Sequence, residues 1–585
     1  MSDRRNTFLV KEHISGLPNR WDLLALLIIL TVFIALSHAA RQMAMPYQVG
    51  EILPISLDPS HLPMYALRTV LRLIIALFFS LLFTFIFAAW AAKSRRAEKI
   101  IIPMIDIFQS VPVLGFLSIA IVSFIHLFPN SLLGPECAVI FVIFTSQAWN
   151  MALSFYQSLR TVPADFREAA AMFQLSAWQR FWRVDVPYAM PGLLWNMMLS
   201  MSGSWFFIVF SEAITIADQR ILLPGIGSYI AEAIIQTDIR AEVYAIIAML
   251  IVILLYDQLL FRPLLYWAER FKVSQTIEED PASAPLLTEL FHRVKSLHWI
   301  RLYFHRLTNV FINNRFCNHK LRHKPTALNN TRRYWHNLLW NIGLFMVIGL
   351  TLYSLYRFIQ QAVTLHEVLH VLFLGLITTC RVAVLLVVAS LIWVPLGVWI
   401  GMNSRATRIV QPIVQFLAAF PANLFYPLFV IVILTYHLNV NIWVTPLMIL
   451  GSQWYVLFNV IAGASTLPKD LYFATANFGV RGFLWWRKLV LPGIFPFYVT
   501  GAMTAAGGAW NASIAAEVVS WGKTQLVATG LGAYITQYTT KGDFQRIALG
   551  VAVMCFYVLL LNRLLWKPLY TLAEERYSLT ALSEA

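Results

Sequence analysis

The fold predicted for this chain is all-α and polytopic: about twelve transmembrane helices in two tandem, parallel six-helix repeats. Three observations predict it. The composition is too apolar for a water-soluble surface, long stretches lack charge, and the second half repeats the first at a constant offset.

Of 585 residues, 59% are hydrophobic and 12% charged, with a mean hydropathy of +0.66. A soluble chain this long needs a more polar exterior. Runs such as Leu23–Ala39, Leu71–Ala92 and Ile246–Leu260 carry few or no charges. They approach or exceed the ~20 residues a helix needs to cross ~30 Å of hydrocarbon. A transmembrane β-barrel would show alternating segments of ~10 residues instead. The net charge of +15 reads as cytoplasmic loops obeying the positive-inside rule, not as nucleic-acid binding. Cys137, Cys317, Cys380 and Cys555 are scattered, with neither metal-ligand nor disulfide-framework spacing. A basic N-terminus (Arg4, Arg5, Lys11, Arg20) precedes an apolar run without a small-residue cleavage site, as expected of a retained helix.

Spanning segments are expected at about 22–39, 67–92, 101–127, 136–157, 191–215 and 241–265, then 338–357, 371–400, 409–435, 441–462, 494–518 and 545–567. A cytoplasmic N-terminus places Lys93, Arg95, Arg96, Lys99, Arg160, Arg167, Arg180 and Arg183 inside. Arg405, Arg408, Lys469, Arg481, Arg487 and Lys488 join them. Outer loops keep a sparse set such as Arg41, Arg220, Lys523 and Lys541, so both termini are expected to be cytoplasmic. Residues 272–334 are polar and basic. Within them Leu287, Leu290, Phe291, Val294, Leu297, Phe304, Leu307 and Phe311 recur at helical spacing opposite Arg293, Lys295, Arg301 and Arg306. That pattern fits a helix lying on the inner membrane surface or a solvated tether. The expected organisation is 1–64 (N-terminus, first helix and outward loop), 65–265 (first unit), 266–335 (connector), 336–373 (first helix of the second half), 374–568 (second unit) and 569–585 (tail).

The repeat is visible residue by residue. Pro163, Asp165, Ala169 and Pro187 match Pro468, Asp470, Ala474 and Pro492. Without a gap, Pro191, Trp205, Glu212, Gly225, Gly227, Asp238 and Pro263 match Pro496, Trp510, Glu517, Gly530, Gly532, Asp543 and Pro568. After a short length change upstream, Arg72, Arg96, Pro103 and Pro112 match Arg381, Arg405, Pro412 and Pro421. An even number of helices per copy makes the copies parallel, related by an axis along the membrane normal.

The most specific stretch lies between the fourth and fifth segments of each half. The first copy reads Glu168-Ala169-Ala170, then Gln174, then Val184, Val186 and Pro187. The second reads Phe473-Ala474-Thr475, then Gly479, then Leu489, Leu491 and Pro492. This spacing resembles the Glu-Ala-Ala…Gly…Pro cytoplasmic loop of permeases of binding-protein-dependent, ATP-binding-cassette importers (ABC transmembrane type-1). Gln174 stands where Gly is usual, and Phe473 where Glu is usual. With GSWFFIVFSEAI (203–214), GAWNASIAAEVV (508–519) and the PGIG and TGLG segments that follow, the chain looks like the nitrate/sulfonate/taurine-type branch. The resemblance implies coupling loops at Asp165, Glu168, Ala169, Ala170, Gln174 and Pro187 and at Asp470, Ala474, Thr475, Gly479 and Pro492. It implies two copies of a cytoplasmic ATPase, which would hold the ATP and Mg that this chain does not, and an extracytoplasmic solute-binding protein. It also implies a bacterial inner-membrane location and a small, anionic solute. An alanine-rich helix is thin enough to seat in a groove, and a Gly ends such a helix.

Ser200, Ser202, Ser204, Asn511 and Ser513 are candidate pathway residues, although small polar residues also pack helices together. Trp205 and Trp510 are candidate gates or packing residues. Glu212 and Glu517 lie ~20 residues, about 30 Å, from the inner ends of their helices. An acid there is either functional or a structural ion pair, with Arg220 as a candidate partner. His366-Glu367-Val368-Leu369-His370 matches the HExxH zinc motif, but no third-ligand segment accompanies it and its repeat equivalent, ending at His61, lacks the pattern. Gly522-Lys523-Thr524 echoes the end of a P-loop with Glu517 where the upstream Gly belongs, so ATP hydrolysis by this chain is not expected. The rival class is an ion-driven secondary carrier, which shares the span count and the parallel repeat.

Overall fold

Apolar side chains in long uninterrupted runs leave the backbone no polar partner except itself, and in lipid that condition selects helices. In a computed structural model the chain is helical throughout its spans. The structure describes residues 20–48, 53–269 and 330–577, together with 51, 306, 308–310, 312 and 313. Arg4, Arg5, Lys11 and most of the connector's helical pattern therefore lie outside the described residues.

The first half comprises α1 (Arg20–Met43), α2 (Pro59–Lys93), α3 (Arg95–Ser110), α4 (Leu117–Leu127), α5 (Leu133–Arg160), α6 (Ala164–Met172) and α7 (Ala177–Ser211). A hairpin of β1 (Ala213–Ile216) and β2 (Gln219–Leu222) follows, then α8 (Ile226–Gln236) and α9 (Ile239–Ala268). The second half repeats this order. It comprises α10 (Asn330–Gln360), α11 (Leu365–Gly401), α12 (Ser404–Ala419), α13 (Tyr426–Thr435), α14 (Val440–Ile449), α15 (Gln453–Ser465), α16 (Lys469–Asn477) and α17 (Gly482–Ala516). The hairpin β3 (Val518–Trp521) and β4 (Thr524–Val527), α18 (Leu531–Lys541) and α19 (Phe544–Ala573) complete it.

Among the described residues seven helices are long and apolar enough to cross a membrane, and counting each bent pair as one span raises the number to ten. The two other expected segments fall on α1 and α10. The third expected span of each half is corrected. Residues 101–127 do not form one rod: α3 and α4 meet at 91°, and their counterparts α12 and α13 at 77°. Prolines cause both breaks. Val111 and Phe420, each preceding a proline, are extended (ψ 128° and 127°), as the ring's steric demand requires. The 11-residue α4 is about 17 Å long, too short to cross alone. α3 carries Arg95, Arg96 and Lys99 at its start and is capped by Ser94, whose Oγ accepts from the Ala97 N–H. The fourth span differs between halves. α5 is continuous, whereas α14 and α15 bend by 42°.

The fifth span begins well before the expected residue 191, at Ala177 in α7 and at Gly482 in α17. Each contains a π-helical turn at the same repeat position, Phe181–Asp185 and Trp486–Val490. Pro187 and Pro492 come two residues later. A proline lacks the N–H for the helical ladder, and the wider turn takes up the mismatch, so the helix continues through it. A second matched pair of π turns, Asp257–Phe261 and Asn562–Trp566, lies in α9 and α19.

The halves meet along α7 and α17. The Val113 N–H, at the first-half break, donates to Asn511 Oδ1 of α17 at 2.7 Å. Reciprocally, Asn423 Nδ2, at the second-half break, donates to the Phe206 carbonyl of α7 at 3.4 Å. Trp195 of α7 also stacks on Phe458 of α15, ring centroids 5.7 Å apart.

Candidate functional site

The two coupling-loop segments fold alike. α6 and α16 are nine residues each, about 13 Å long. Both end in a Schellman motif. Leu175 N–H donates to the Ala170 carbonyl at 3.0 Å and Gln174 N–H to Ala171 at 2.9 Å. In the other copy Val480 N–H donates to Thr475 at 2.9 Å and Gly479 N–H to Ala476 at 3.1 Å. This motif needs a left-handed residue after the helix, and Gln174 (φ 51°) and Gly479 (φ 67°) hold that position. The geometry therefore explains why the loop's usual residue there is Gly. Gln174 adopts the same shape at the cost of a Cβ clash.

One stripe of each helix faces inward. Ala170 is buried, and Ala169, Ala474 and Thr475 are half-buried, so the small side chains bring the helix close to its own chain. Asp165, Glu168 and Asp470 are exposed. The protruding groups are apolar, with Met172 84%, Phe173 79% and Phe478 84% exposed. Pro187 and Pro492 are half-buried just above the π turns.

The joints beneath these helices differ. In the first half Lys93 Nζ lies 4.1 Å from the centroid of the Phe181 ring, and Arg180 Nε lies 3.9 Å from Asp185 Oδ2. The equivalents of Arg180 and Asp185 are Trp485 and Val490. The connector touches the first joint too: Gln179 Nε2 and Arg183 Nη2 donate to Asn313 Oδ1 at 3.2 and 3.1 Å.

At the opposite end of α7 and α17 lie two buried ion-pair nodes. Arg72 of α2 donates to Glu136 through Nε at 2.6 Å and Nη2 at 2.7 Å, and to Glu212 through Nη1 at 2.6 Å. Glu212 also accepts from Thr69 Oγ1 and from the Gly227 N–H, both at 2.7 Å. Its carboxylate thus sits at the N-terminus of α8, where the helix dipole favours negative charge. Gly225 and Gly227 are required by close approach. A Cβ on Gly225 would collide with the Glu212 carboxylate, and one on Gly227 with the Val209 backbone. The second node repeats the design. Glu517 accepts from Arg381 Nη1 at 3.1 Å, from Thr378 Oγ1 at 3.0 Å and from the Ala533 N–H at 3.0 Å. Glu136, however, is replaced by neutral Asn441, which accepts from Arg381 Nη2 at 3.2 Å. The Arg381 side chain is 12% exposed where Arg72 is fully enclosed.

Glu212 and Glu517 are therefore ion-pair partners of Arg72 and Arg381, and Arg220 instead pairs with Glu232 at 3.4 Å. The other pathway candidates are mostly interior. Asn150 Nδ2 donates to Ser200 Oγ at 3.2 Å, and Ser204 Oγ meets Ser146 Oγ at 3.0 Å, which ties α5 to α7. Ser202 is buried against its own helix, bonded to the Met198 carbonyl. Trp205 packs edge-on to Tyr256, Trp510 stacks on Tyr557, and Ser513 is buried. Asn511 alone of this set is half-exposed at the seam between halves. Arg72, Thr69 and Glu136 were missed as site residues. The repeat pairs Arg72 with Arg381, but Glu136 hides because its counterpart, Asn441, is neutral.

The HExxH glutamate is committed elsewhere. Glu367 accepts from Arg546 Nε at 2.7 Å and from Tyr534 Oη at 3.0 Å. Gly522-Lys523 forms the turn of the β3–β4 hairpin.

Two pseudo-equivalent halves, each with a short protruding helix at one end of its long fifth helix and a buried ion-pair node at the other, define a permease-type membrane protein. Residues 80–261 and 393–566 each match the family model for the binding-protein-dependent transport system inner membrane component, and the chain belongs to that family. It is 27% identical over 183 residues to the bicarbonate transport system permease protein CmpB of Synechococcus elongatus, covering 31% of this chain and 63% of that one. It is 25% identical over 184 residues to the nitrate import permease protein NrtB of Leptolyngbya laminosa (32% and 62%). To the glycine betaine/carnitine transport permease protein GbuB of Listeria monocytogenes it is 28% identical over 176 residues (29% and 55%). The matches thus span somewhat under two thirds of these relatives' lengths.

Proposed function

We propose that this chain forms the complete transmembrane pathway of an ATP-driven importer, with both permease halves in one polypeptide. A solute-binding protein delivers a small solute to the face that carries the hairpins. Two copies of a cytoplasmic ATPase dock on the loops around 163–183 and 468–488 and supply the ATP and Mg chemistry. Both termini are cytoplasmic. The chain is a transport subunit and holds no nucleotide itself. The carrying observation is the duplicated Schellman-ended helix with its bare apolar tip, Met172-Phe173 in one copy and Phe478 in the other. In water such tips call for a partner surface. Two of the three relatives described are named for anions, bicarbonate and nitrate, so the solute class is a small anion.

Co-purification tests the docking. The cognate ATPase should elute with the chain at two copies per chain. Phe173→Asp and Phe478→Asp together should remove it while the chain remains monodisperse. Retention of both copies by the double variant would refute docking at these loops.

A further inference from the structure

The outer hairpins reach across to the opposite half, and they do so reciprocally. The Ala217 N–H at the β1–β2 turn donates to the Thr539 carbonyl at the end of α18, at 3.4 Å, and the Asp218 N–H donates to Thr540 at 2.8 Å. The Gly522 N–H at the β3–β4 turn donates to the Ile234 carbonyl at the end of α8, at 2.9 Å. Ala217 corresponds to Gly522 and Thr539 to Ile234 under the repeat, so the first and third bonds are one bond made twice. Each turn thereby adds a second donor to a carbonyl that already accepts from the residue ending its own helix, Thr237 N–H on Ile234 at 3.2 Å and Gly542 N–H on Thr539 at 3.1 Å.

The packing at these points follows a rule. Thr237 and Gly542, the left-handed residues that end α8 and α18 (φ 54° and 72°), face the two turns. A Cβ on Gly542 would come within 2.7 Å of the Ala217 Cβ, and one on Gly522 within 2.7 Å of Thr237 Cγ2. Each contact therefore tolerates one side chain, Ala217 against Gly542 and Thr237 against Gly522, and the glycine sits in opposite members of the two pairs. The turns differ to suit. Ala217-Asp218 has positive φ at both residues (50° and 59°), a type I′ turn, whereas Gly522 alone is positive at 61°, the II′ pattern. Ile216 and Ile221 of the first hairpin are buried in an apolar cluster built mainly from the second half.

We propose that the two hairpins are an outer latch. They hold the halves together while the pathway is closed to the outside, and they part when it opens there. The contacts suit such a role. They are a few hydrogen bonds and small-residue contacts in which Ala217, Asp218 and Thr237 remain exposed, so water can replace the bonds when the halves separate. This rests on the proposed transport function.

The test uses the full chain with its four cysteines (Cys137, Cys317, Cys380 and Cys555) replaced by Ala, and with Asp218→Cys and Thr540→Cys. It is reconstituted with the ATPase and treated with a short bis-maleimide. The cross-link should form in the nucleotide-free complex and fall by roughly tenfold when ATP and vanadate trap the ATPase closed. Gly542→Ala, which puts a Cβ against Ala217 at a left-handed residue, should lower the nucleotide-free yield by roughly threefold. Equal yields with and without trapped nucleotide would overturn the latch, as would a Gly542→Ala chain that cross-links as fully as the parent. Failure of the transport reading shows separately, as nitrate uptake without ATPase that a proton gradient drives. The cross-link then still decides the latch, because a carrier that alternates its access must also part its halves outside, and unhindered uptake by the cross-linked chain would overturn it.

Discussion

Single residues carry much of the difference between the two halves. Gln174 and Gly479 occupy the same left-handed position, but only one lacks a Cβ. Gly479→Ala should lower stability by about 1 kcal/mol, and Gln174→Gly should raise it by a smaller amount, because glycine's extra unfolded-state entropy offsets part of the relief. Thermal unfolding of the purified variants checks both signs. The ion-pair nodes give a sharper contrast. Arg72→Met leaves Glu136 and Glu212 buried without their cation, a loss of roughly 3–5 kcal/mol, so little folded protein should be recovered. Arg381→Met strands one carboxylate at a partly open site and should cost visibly less in the yield of monodisperse protein. Glu242 is fully buried, and its carboxylate oxygens meet no hydrogen-bond partner among the described residues; its repeat equivalent is Ile547. Glu242→Ile, the residue of the other half, removes the unpartnered polar atoms and should raise the unfolding temperature, in line with the roughly 1–3 kcal/mol cost of an unsatisfied buried group. A fall on substitution would mean that the carboxylate is satisfied by a group outside the described residues.

At the scale of elements, the apolar runs, their order and the loop between the fourth and fifth spans were legible because hydropathy and local spacing encode them. Direction was not. Residues 101–127 and 409–435 read as single rods, since a hydropathy window is blind to a 91° or 77° turn. The cause was nonetheless in view, in the matched Pro112 and Pro421. For the serines of α7 the sequence left a pathway role and helix packing both open, because composition cannot say which face of a helix meets another helix; Ser200 and Ser204 bond to α5. Ion-pair partners 64 and 140 residues apart, as Glu136 and Glu212 are from Arg72, leave no local trace. The exposed tips carry the element-scale prediction. Phe173→Asp alone and Phe478→Asp alone should each weaken ATPase binding, and unequally, because the first tip stands on a charged joint braced by Asn313 and the second on Trp485 and Val490. Titration of detergent-solubilised chain with ATPase measures both. Equal losses would mean that the joint has no part in binding.

Across the whole molecule, two copies of one architecture meet reciprocally at their broken helices and at their hairpins, while the joints beneath α6 and α16 differ. Duplication explains the matched π turns, nodes and caps, and fusion in one chain allows each copy to change alone. Glu136 stands opposite Asn441 and Gln174 opposite Gly479 across the repeat, and at the second pair both copies keep the same left-handed backbone. The central claim is that ATP hydrolysed by a docked partner drives solute through this chain. Nitrate uptake into vesicles holding the full chain, its ATPase and its binding protein tests that claim most directly. The account predicts uptake that requires ATP on the side of the loops at 163–183 and 468–488 and that persists when an uncoupler collapses the proton gradient. Uptake by the chain alone, without ATPase and abolished by the uncoupler, would contradict it.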